Sequence, residues 1–184
     1  MKRVVLMALA LLALAGCIAV KATVTPDQPA TSGAETAAIL DTVDRFLLAV
    51  GNHDYAALKD LSVSEGTNYM QRITKDGSYA VMRRSMAELT TPGATGGDPF
   101  MERYWSPKVE ARGDLAHVWA SYELRDNGKV VHCGIDAFDL IKIGGAWRVG
   151  NLMFTMEPDA CGEIKPHSVS AMRPRDGWKE HGAD

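Results

Sequence analysis

Glu123, His132 and Asp136 are the residues of this chain whose types and spacing could do proton chemistry. They flank Asp126-Asn127-Gly128-Lys129, which has the chemistry of a two-residue hairpin turn because Asn-Gly tolerates the positive φ such a turn requires. With Asn127-Gly128 as the loop, Glu123 falls opposite His132, Ser121 opposite Gly134 and Trp119 opposite Asp136. Opposed Cβ atoms in a sheet are about 5 Å apart, which puts Glu123 and His132 within hydrogen-bond reach. A carboxylate beside an imidazole raises the histidine's pKa and makes it a candidate general acid or base. A solvent-facing cross-strand ion pair satisfies the same spacing. Asp136, between Ile135 and Ala137 in what reads as a central strand, needs a partner if it is buried. A helix N-terminus or Tyr69 could supply that partner, and a catalytic role is the alternative.

A second turn, Ile143-Gly144-Gly145-Ala146, extends the register and places Asp136 opposite Met153 and Phe138 opposite Asn151. Side chains alternate across a sheet. One face then gathers His117, Trp119, Ser121, Glu123, His132, Asp136, Phe138, Trp147, Val149, Asn151 and Met153. This mixture of aromatics with a few ionisable groups is the make-up of a ligand pocket. Tyr69, Trp119, Ser121, Phe138, Asn151 and Met153 are the candidate ligand-binding residues, with core packing as the alternative for the aromatics and Met153. The opposite face, with Val118, Ala120, Tyr122, Cys133, Ile135, Ala137, Leu152 and Phe154, suits a helix-packed core or a dimer interface. A one-residue slip would flip every assignment.

The elements that must hold these residues can be read from periodicity. Ser32 and Glu35 have the spacing of a capping box. Ile39, Leu40, Val43, Phe46, Leu47 and Val50 then recur at helical spacing, and Gly51-Asn52 ends that helix. Asp54 can cap a second helix carrying Tyr55, Leu58 and Leu61, so His53-Asp54 reads as a helix junction. A third helix is predicted from near Ser78, with Tyr79, Met82, Met86 and Leu89 on one stripe, stopped by Pro92-Gly93. Strands are predicted at 104–112, 115–125, 130–142 and 146–157, with a shorter one near 67–73. Helices followed by an antiparallel meander point to an α+β fold with helices on one face of a curved sheet. Residues 162–184 hold Pro166 and Pro174 without periodicity and read as an irregular tail.

The totals exclude several functions. The chain has 184 residues and a formal net charge of −3, becoming −5 if Lys2 and Arg3 are removed with a leader. No basic patch or charge run appears, which argues against nucleic acid as a partner. No Gly-rich phosphate loop, G-x-S-x-G elbow or H-E-x-x-H motif is present, leaving nucleotide-binding and hydrolase readings without support. No cofactor is implied. The cysteines belong to no CxxC pair and the histidines lack ligand spacing, so no metal site is expected.

Lys2 and Arg3 precede an uncharged apolar run from Val4 to Ala15, the pattern of a secretory signal. Leu14-Ala15-Gly16-Cys17 resembles the lipobox of bacterial lipoproteins, in which the cysteine is acylated and becomes the first mature residue. Two other readings compete. Ala13-Leu14-Ala15 could be an A-x-A cleavage site releasing a soluble periplasmic or secreted protein, or Val4 to Val20 could stay as a membrane anchor. The lipobox reading gives a signal peptide at 1–16, a lipidated Cys17 with a proline-bearing tether to residue 33, a domain at 34–161 and a tail at 162–184. Ile18, in place of an aspartate after the cysteine, implies the outer membrane. In an exported domain Cys133 and Cys161 are candidates for a disulfide, with two unpaired thiols as the alternative.

Residues 35–161 resemble the NTF2-like superfamily, in particular its bacterial SnoaL-like and DUF4440-like branches. The resemblance rests on the first amphipathic helix followed by Asn52-His53-Asp54-Tyr55-Ala56-Ala57-Leu58, and on Val118-Trp119-Ala120-Ser121-Tyr122. His132-Cys133-Gly134-Ile135-Asp136-Ala137-Phe138 and Gly145-Ala146-Trp147-Arg148-Val149 carry its most specific parts. It implies a cone: a strongly curved, mostly antiparallel sheet wrapped around a long N-terminal helix, three helices in all, with a small-molecule pocket at the mouth. It also implies that the mixed face looks inward and that the outer sheet face forms a homodimer. Enzymes of this kind use a pocket Asp with His or Tyr, and Asp136, His132 and Tyr69 match those types. Glu157-Pro158-Asp159-Ala160-Cys161 resembles the domain end of exported relatives, which implies that Cys161 locks back onto Cys133. The resulting expectation is a periplasmic lipoprotein binding a small apolar or amphipathic molecule. The alternatives are a cofactor-free isomerase, dehydratase or hydrolase, and an envelope accessory protein.

Overall fold

Ser32 starts the long helix that organises the molecule: its Oγ accepts from the Glu35 amide at 3.1 Å. The computed structural model describes residues 31–179 apart from 75, 165 and 167. The segments read from sequence as a signal and, for the most part, as a tether lie outside the described residues, as does Cys17. Helix α1 spans Gly33–Gly51, and α2 spans Tyr55–Leu61 behind an Asp54 cap on the Ala57 amide. The capping box at Ser32 is only half made. Glu35 turns away from the cap, accepting from Lys142 Nζ at 2.5 Å and Trp147 Nε1 at 2.9 Å, and so pins the first turn of α1 to the sheet.

Six strands follow: β1 (Thr67–Ile73), β2 (Tyr79–Ser85), β3 (Met101–Arg112), β4 (Leu115–Asp126), β5 (Lys129–Ile143) and β6 (Ala146–Met156). They form one sheet in the order β2-β1-β6-β5-β4-β3, antiparallel except where β1 runs parallel to β6. The α+β class, the meander and the strand near 67–73 match the expectation from sequence. The third helix does not. Residues 79–85 are strand β2, and helix α3 is only Met86–Leu89, opened by a capping box between Ser85 and Glu88.

The core lies between α1 and the concave face of the sheet. Ile39, Val43, Phe46 and Leu47 project onto Val118, Ala120, Tyr122, Phe138, Leu140 and Val149. Phe46 meets Phe138 edge to face, with centroids 6.0 Å apart, an arrangement aromatic quadrupoles favour.

Both hairpin turns sit where the sequence puts them, with Asp126 paired to Lys129 and Ile143 to Ala146. The strands beyond them do not keep register. Leu124 pairs with His132 but Arg125 with Val130, so Val131 is an extra residue in β5. Asp139 pairs with Asn151 but Leu140 with Val149, so Gly150 is extra in β6. Each bulge moves every later side chain to the other face. The single mixed face is therefore split between the two sides of the sheet. His117, Trp119, Ser121 and Glu123 of β4, together with Asn151 and Met153 of β6, lie on the convex side. His132, Asp136, Phe138, Trp147 and Val149 lie on the concave side with Val118, Ala120, Tyr122, Leu152 and Phe154.

Cys133 and Cys161 form a disulfide with a Cα–Cα distance of 5.1 Å, which holds the 3-10 turn Pro158–Gly162 against β5. The C-terminal segment has little regular structure but is not a free tail. Arg173 exchanges backbone hydrogen bonds with Tyr104 at the open edge of β3, and its guanidinium grips Asp44 of α1 at 2.6 Å. Met172 and Pro174 are buried.

Candidate active site within the cone

The Val131 bulge is what turns His132 inward. The next concave-side residues of β5 are Gly134 and Asp136, and β3 brings Glu102 to the same interior from the sheet's edge. Asp136 is 1% exposed and neither of its carboxyl oxygens receives a hydrogen bond from an ordinary protein donor. The group it shares a hydrogen bond with is the carboxyl of Glu102, and its charge also reaches the Tyr122 hydroxyl. Two carboxylates cannot share a hydrogen bond unless one holds a proton, and like charges at such a distance resist joint ionisation. Burial pushes Glu102 up to about 7, while burial and the Glu102 charge hold Asp136 well above the usual carboxylate range. The pair keeps at least one proton at neutral pH.

His132 is buried, and desolvation lowers it to about 4, so its ring is neutral. The Tyr122 hydroxyl donates to the Thr155 carbonyl at 2.7 Å and lies 3.2 Å from His132 Nδ1. With that proton committed to Thr155, Nδ1–H donates to the tyrosine oxygen and the lone pair stays on Nε2. Burial raises the Tyr122 hydroxyl, which is thus a fixed donor and no acid at physiological pH.

Glu102 and His132 line a cavity of about 190 Å³. Its walls are mostly apolar: Phe46, Leu47 and Val50 from α1, with Leu152, Phe154 and Met156 from β6. Asn68 and Arg84 add polar groups from β1 and β2, where they are register partners. Asp136 sits behind Glu102 and touches the cavity through it. An apolar chamber with a protonated acid pair, a neutral imidazole and one guanidinium can orient a small molecule. It can also give or take a proton near neutral pH, where general acid–base groups work best.

The sequence-derived candidates fall into three places. His132 and Asp136 come together in the interior. Phe138 is there too, but it is fully buried against Phe46 and does not reach the cavity. Glu123 is removed from this group: it faces Cys133, not His132, and two arginines hold it, Arg103 at 2.9 Å and Arg125 at 2.6 Å. Tyr69, Trp119 and Met153 do assemble, but on the convex face, where they line a shallow groove with Val81, Ile135 and Ala137. Tyr69 is 39% exposed there and cannot be the partner of Asp136. Ser121 lies on the same convex face. Asn151 spans strands, accepting from the Thr67 amide at 3.0 Å and donating to Asp139 at 3.4 Å. The residues missed from sequence are Glu102, Arg84 and Tyr122. Only Glu102 left a trace, as an acid two residues ahead of a strand predicted from 104.

No protein-family model matches the chain, and no curated protein matches it. Solved structures do. A protein of unknown function with a cystatin-like fold from Nostoc punctiforme superposes with a TM-score of 0.55 at 14% identity, over 71% of this chain and 97% of the other. An NTF2-like protein of unknown function from Shewanella baltica gives 0.51 at 17% identity, over 68% and 96%. A Novosphingobium aromaticivorans protein, provisionally named the beta subunit of an aromatic-ring-hydroxylating dioxygenase, gives 0.54 at 17%, over 68% and 92%. At these identities the likeness concerns architecture, and it identifies the fold of this chain as NTF2-like, also called cystatin-like.

Proposed function

We propose that this chain is an exported lipoprotein, anchored to the outer membrane through Cys17, whose cone binds a small, largely apolar molecule carrying a polar group. The observation that carries the binding reading is the Glu102–Asp136 pair: Asp136 is buried with no hydrogen-bond donor among the described residues, and its half-buried neighbour Glu102 lines an apolar cavity. Burying two carboxyls costs folding free energy, and a ligand is a reason to retain them. The export reading draws on the basic, apolar and lipobox-like segments that end at Cys17. The Cys133–Cys161 disulfide fits an oxidising compartment.

The test is native mass spectrometry of the full chain taken from the envelope of its host. A retained small molecule that is lost from Glu102→Gln is expected, and an empty protein under non-denaturing extraction overturns the binding reading. Membrane partition of wild type and Cys17→Ser tests the anchor, which fails if the unacylated variant still sediments with membranes.

A specific observation favours a second reading, a cofactor-free isomerase or dehydratase of the SnoaL-like or DUF4440-like kind. Glu102, pushed up to about 7, has the pKa of a working general acid–base group. In that reading Glu102 moves the proton, Asp136 tunes it, and His132 Nε2 accepts a hydrogen bond from the substrate. The convex groove around Tyr69, Trp119 and Met153 favours a homodimer through that face. Light scattering of wild type and Trp119→Glu tests this, with a monomeric wild type as the overturning result.

A further inference from the structure

The cavity is lined by two groups of opposite chemistry. Glu102 belongs to β3 and Arg84 to β2, the two edge strands of the curved sheet, and both side chains line the same chamber. Arg84 is half-buried. Its Nη1 donates to the Ala94 carbonyl at 3.0 Å, and the charges acting on it are Glu88 and Tyr55. Glu102, by contrast, feels only its own burial and Asp136. The guanidinium and the acid pair therefore do not neutralise each other, although both line one chamber. Between them the walls are Phe46, Leu47, Val50, Leu152 and Phe154, with no charge.

From this arrangement we infer that the ligand is a small zwitterion with an apolar middle, its cationic amine on Glu102, with Asp136 behind it, and its anionic group on Arg84. This deepens the binding reading above and rests on it. Asp136 makes the acid group a ligand site rather than a surface acid cluster, since the residue is 1% exposed and neither carboxyl oxygen has a hydrogen-bond donor among the described residues. An ammonium entering beside Glu102 takes the place of the shared proton and leaves both carboxylates ionised, so binding releases a proton. The groups that face the pair are few. His132 on β5 is neutral, Tyr122 on β4 is committed to Thr155, and Glu157 follows β6 near Tyr122. Helix α1 presents only apolar side chains to the cavity.

The experiment is calorimetric titration of the full chain with unbranched ω-aminoalkanoates of increasing length, beside alkylamines, alkanoates and alkanols of matched length. One aminoalkanoate length should bind at least tenfold tighter than each of its matched controls, with affinity for the amine end rising between pH 6 and 8. Arg84→Gln should reduce that compound to the affinity of the amine, and Glu102→Gln to that of the alkanoate. Should either variant fail to fold, the wild-type comparison across the four series still decides. Alkanols binding as tightly as aminoalkanoates would overturn the zwitterion and leave the apolar-ligand reading standing. No binding by any series overturns both.

Discussion

At Asp136 and Glu102 the protein gives up stability to keep two acids inside, and this can be measured as a pH dependence. Between pH 4.5 and 7 native Glu102 keeps a proton that the unfolded chain has lost. The native state then binds more protons, and stability falls as pH rises. His132 acts in the opposite sense. Lowered to about 4, it stays neutral while the unfolded histidine is still charged, so stability rises from pH 4 to 6.5 and its contribution is complete above that. The range above pH 6.5 therefore reports the carboxyl pair, through the end of the Glu102 titration and the raised Asp136. Glu102→Gln combined with Asp136→Asn should flatten stability across that window and gain roughly 1–3 kcal/mol at pH 8, read by urea unfolding at several pH values. A decline as steep as that of wild type would show that the pair does not hold its proton. Asp136 and His132 were legible because their types are unusual in an apolar strand. Glu102 was not, because its role comes from a partner 34 residues away that no local pattern reveals.

Elements were legible wherever a local signal fixed them, as at the Asn127-Gly128 and Gly144-Gly145 turns. Register was not, because a bulge is set by twist and packing rather than by a turn residue. The extra Val131 and Gly150 together moved Trp119 and Met153 outside and kept His132 inside. Strand β2 reads as a helix from sequence because Tyr79, Met82 and Met86 have helical spacing. The overlooked signal was Asp76-Gly77, a hairpin dipeptide, whose aspartate accepts from the Ser78 amide at 3.1 Å and whose glycine has a φ of 82°. Bending the sheet also demands close backbone approach. A Cβ at Gly134 would lie 2.0 Å from the Thr155 carbonyl oxygen and 2.8 Å from the Tyr122 ring. Gly134→Ala should cost about 3 kcal/mol or more and, by displacing Tyr122 and Thr155, disturb the support of His132. Far- and near-ultraviolet circular dichroism during denaturation would show it, and a change below 1 kcal/mol would mean that the strands have room to part.

Two long-range ties complete the molecule, and the first pairs Cys133 with Cys161, 28 residues apart. Closing a loop of that size stabilises by roughly 3–4 kcal/mol on the chain-entropy model, so Cys161→Ser should lower stability by about that amount, as a reducing agent should for wild type. The second tie is the C-terminal strap, whose sequence reads as an irregular tail. Arg173 grips Asp44, whose Oδ1 also accepts from the Tyr104 hydroxyl at 2.7 Å, so strap, α1 and β3 meet at one carboxylate. Farther along, Asn52 at the end of α1 donates to the Gly177 carbonyl and accepts from the Lys179 amide, each at 2.8 Å. Trp178 then covers Gly51, where a Cβ would come within 2.6 Å of its ring and 2.3 Å of the Phe100 carbonyl oxygen. Composition hides all of this, because a segment held by scattered single contacts has no periodicity. Val50 and Phe100, beside that indole contact, also line the cavity, so the strap bears on the chamber's wall. Arg173→Ala should leave the half-buried Asp44 carboxylate with the tyrosine donor and cost about 1–3 kcal/mol. It should also loosen Trp178, giving red-shifted tryptophan emission that Trp178→Phe abolishes. Asp44→Asn, which keeps an acceptor but loses the charge, should fall between wild type and Arg173→Ala. Unchanged emission and stability in Arg173→Ala would mean that the strap is held by Met172, Pro174 and Trp178 packing alone.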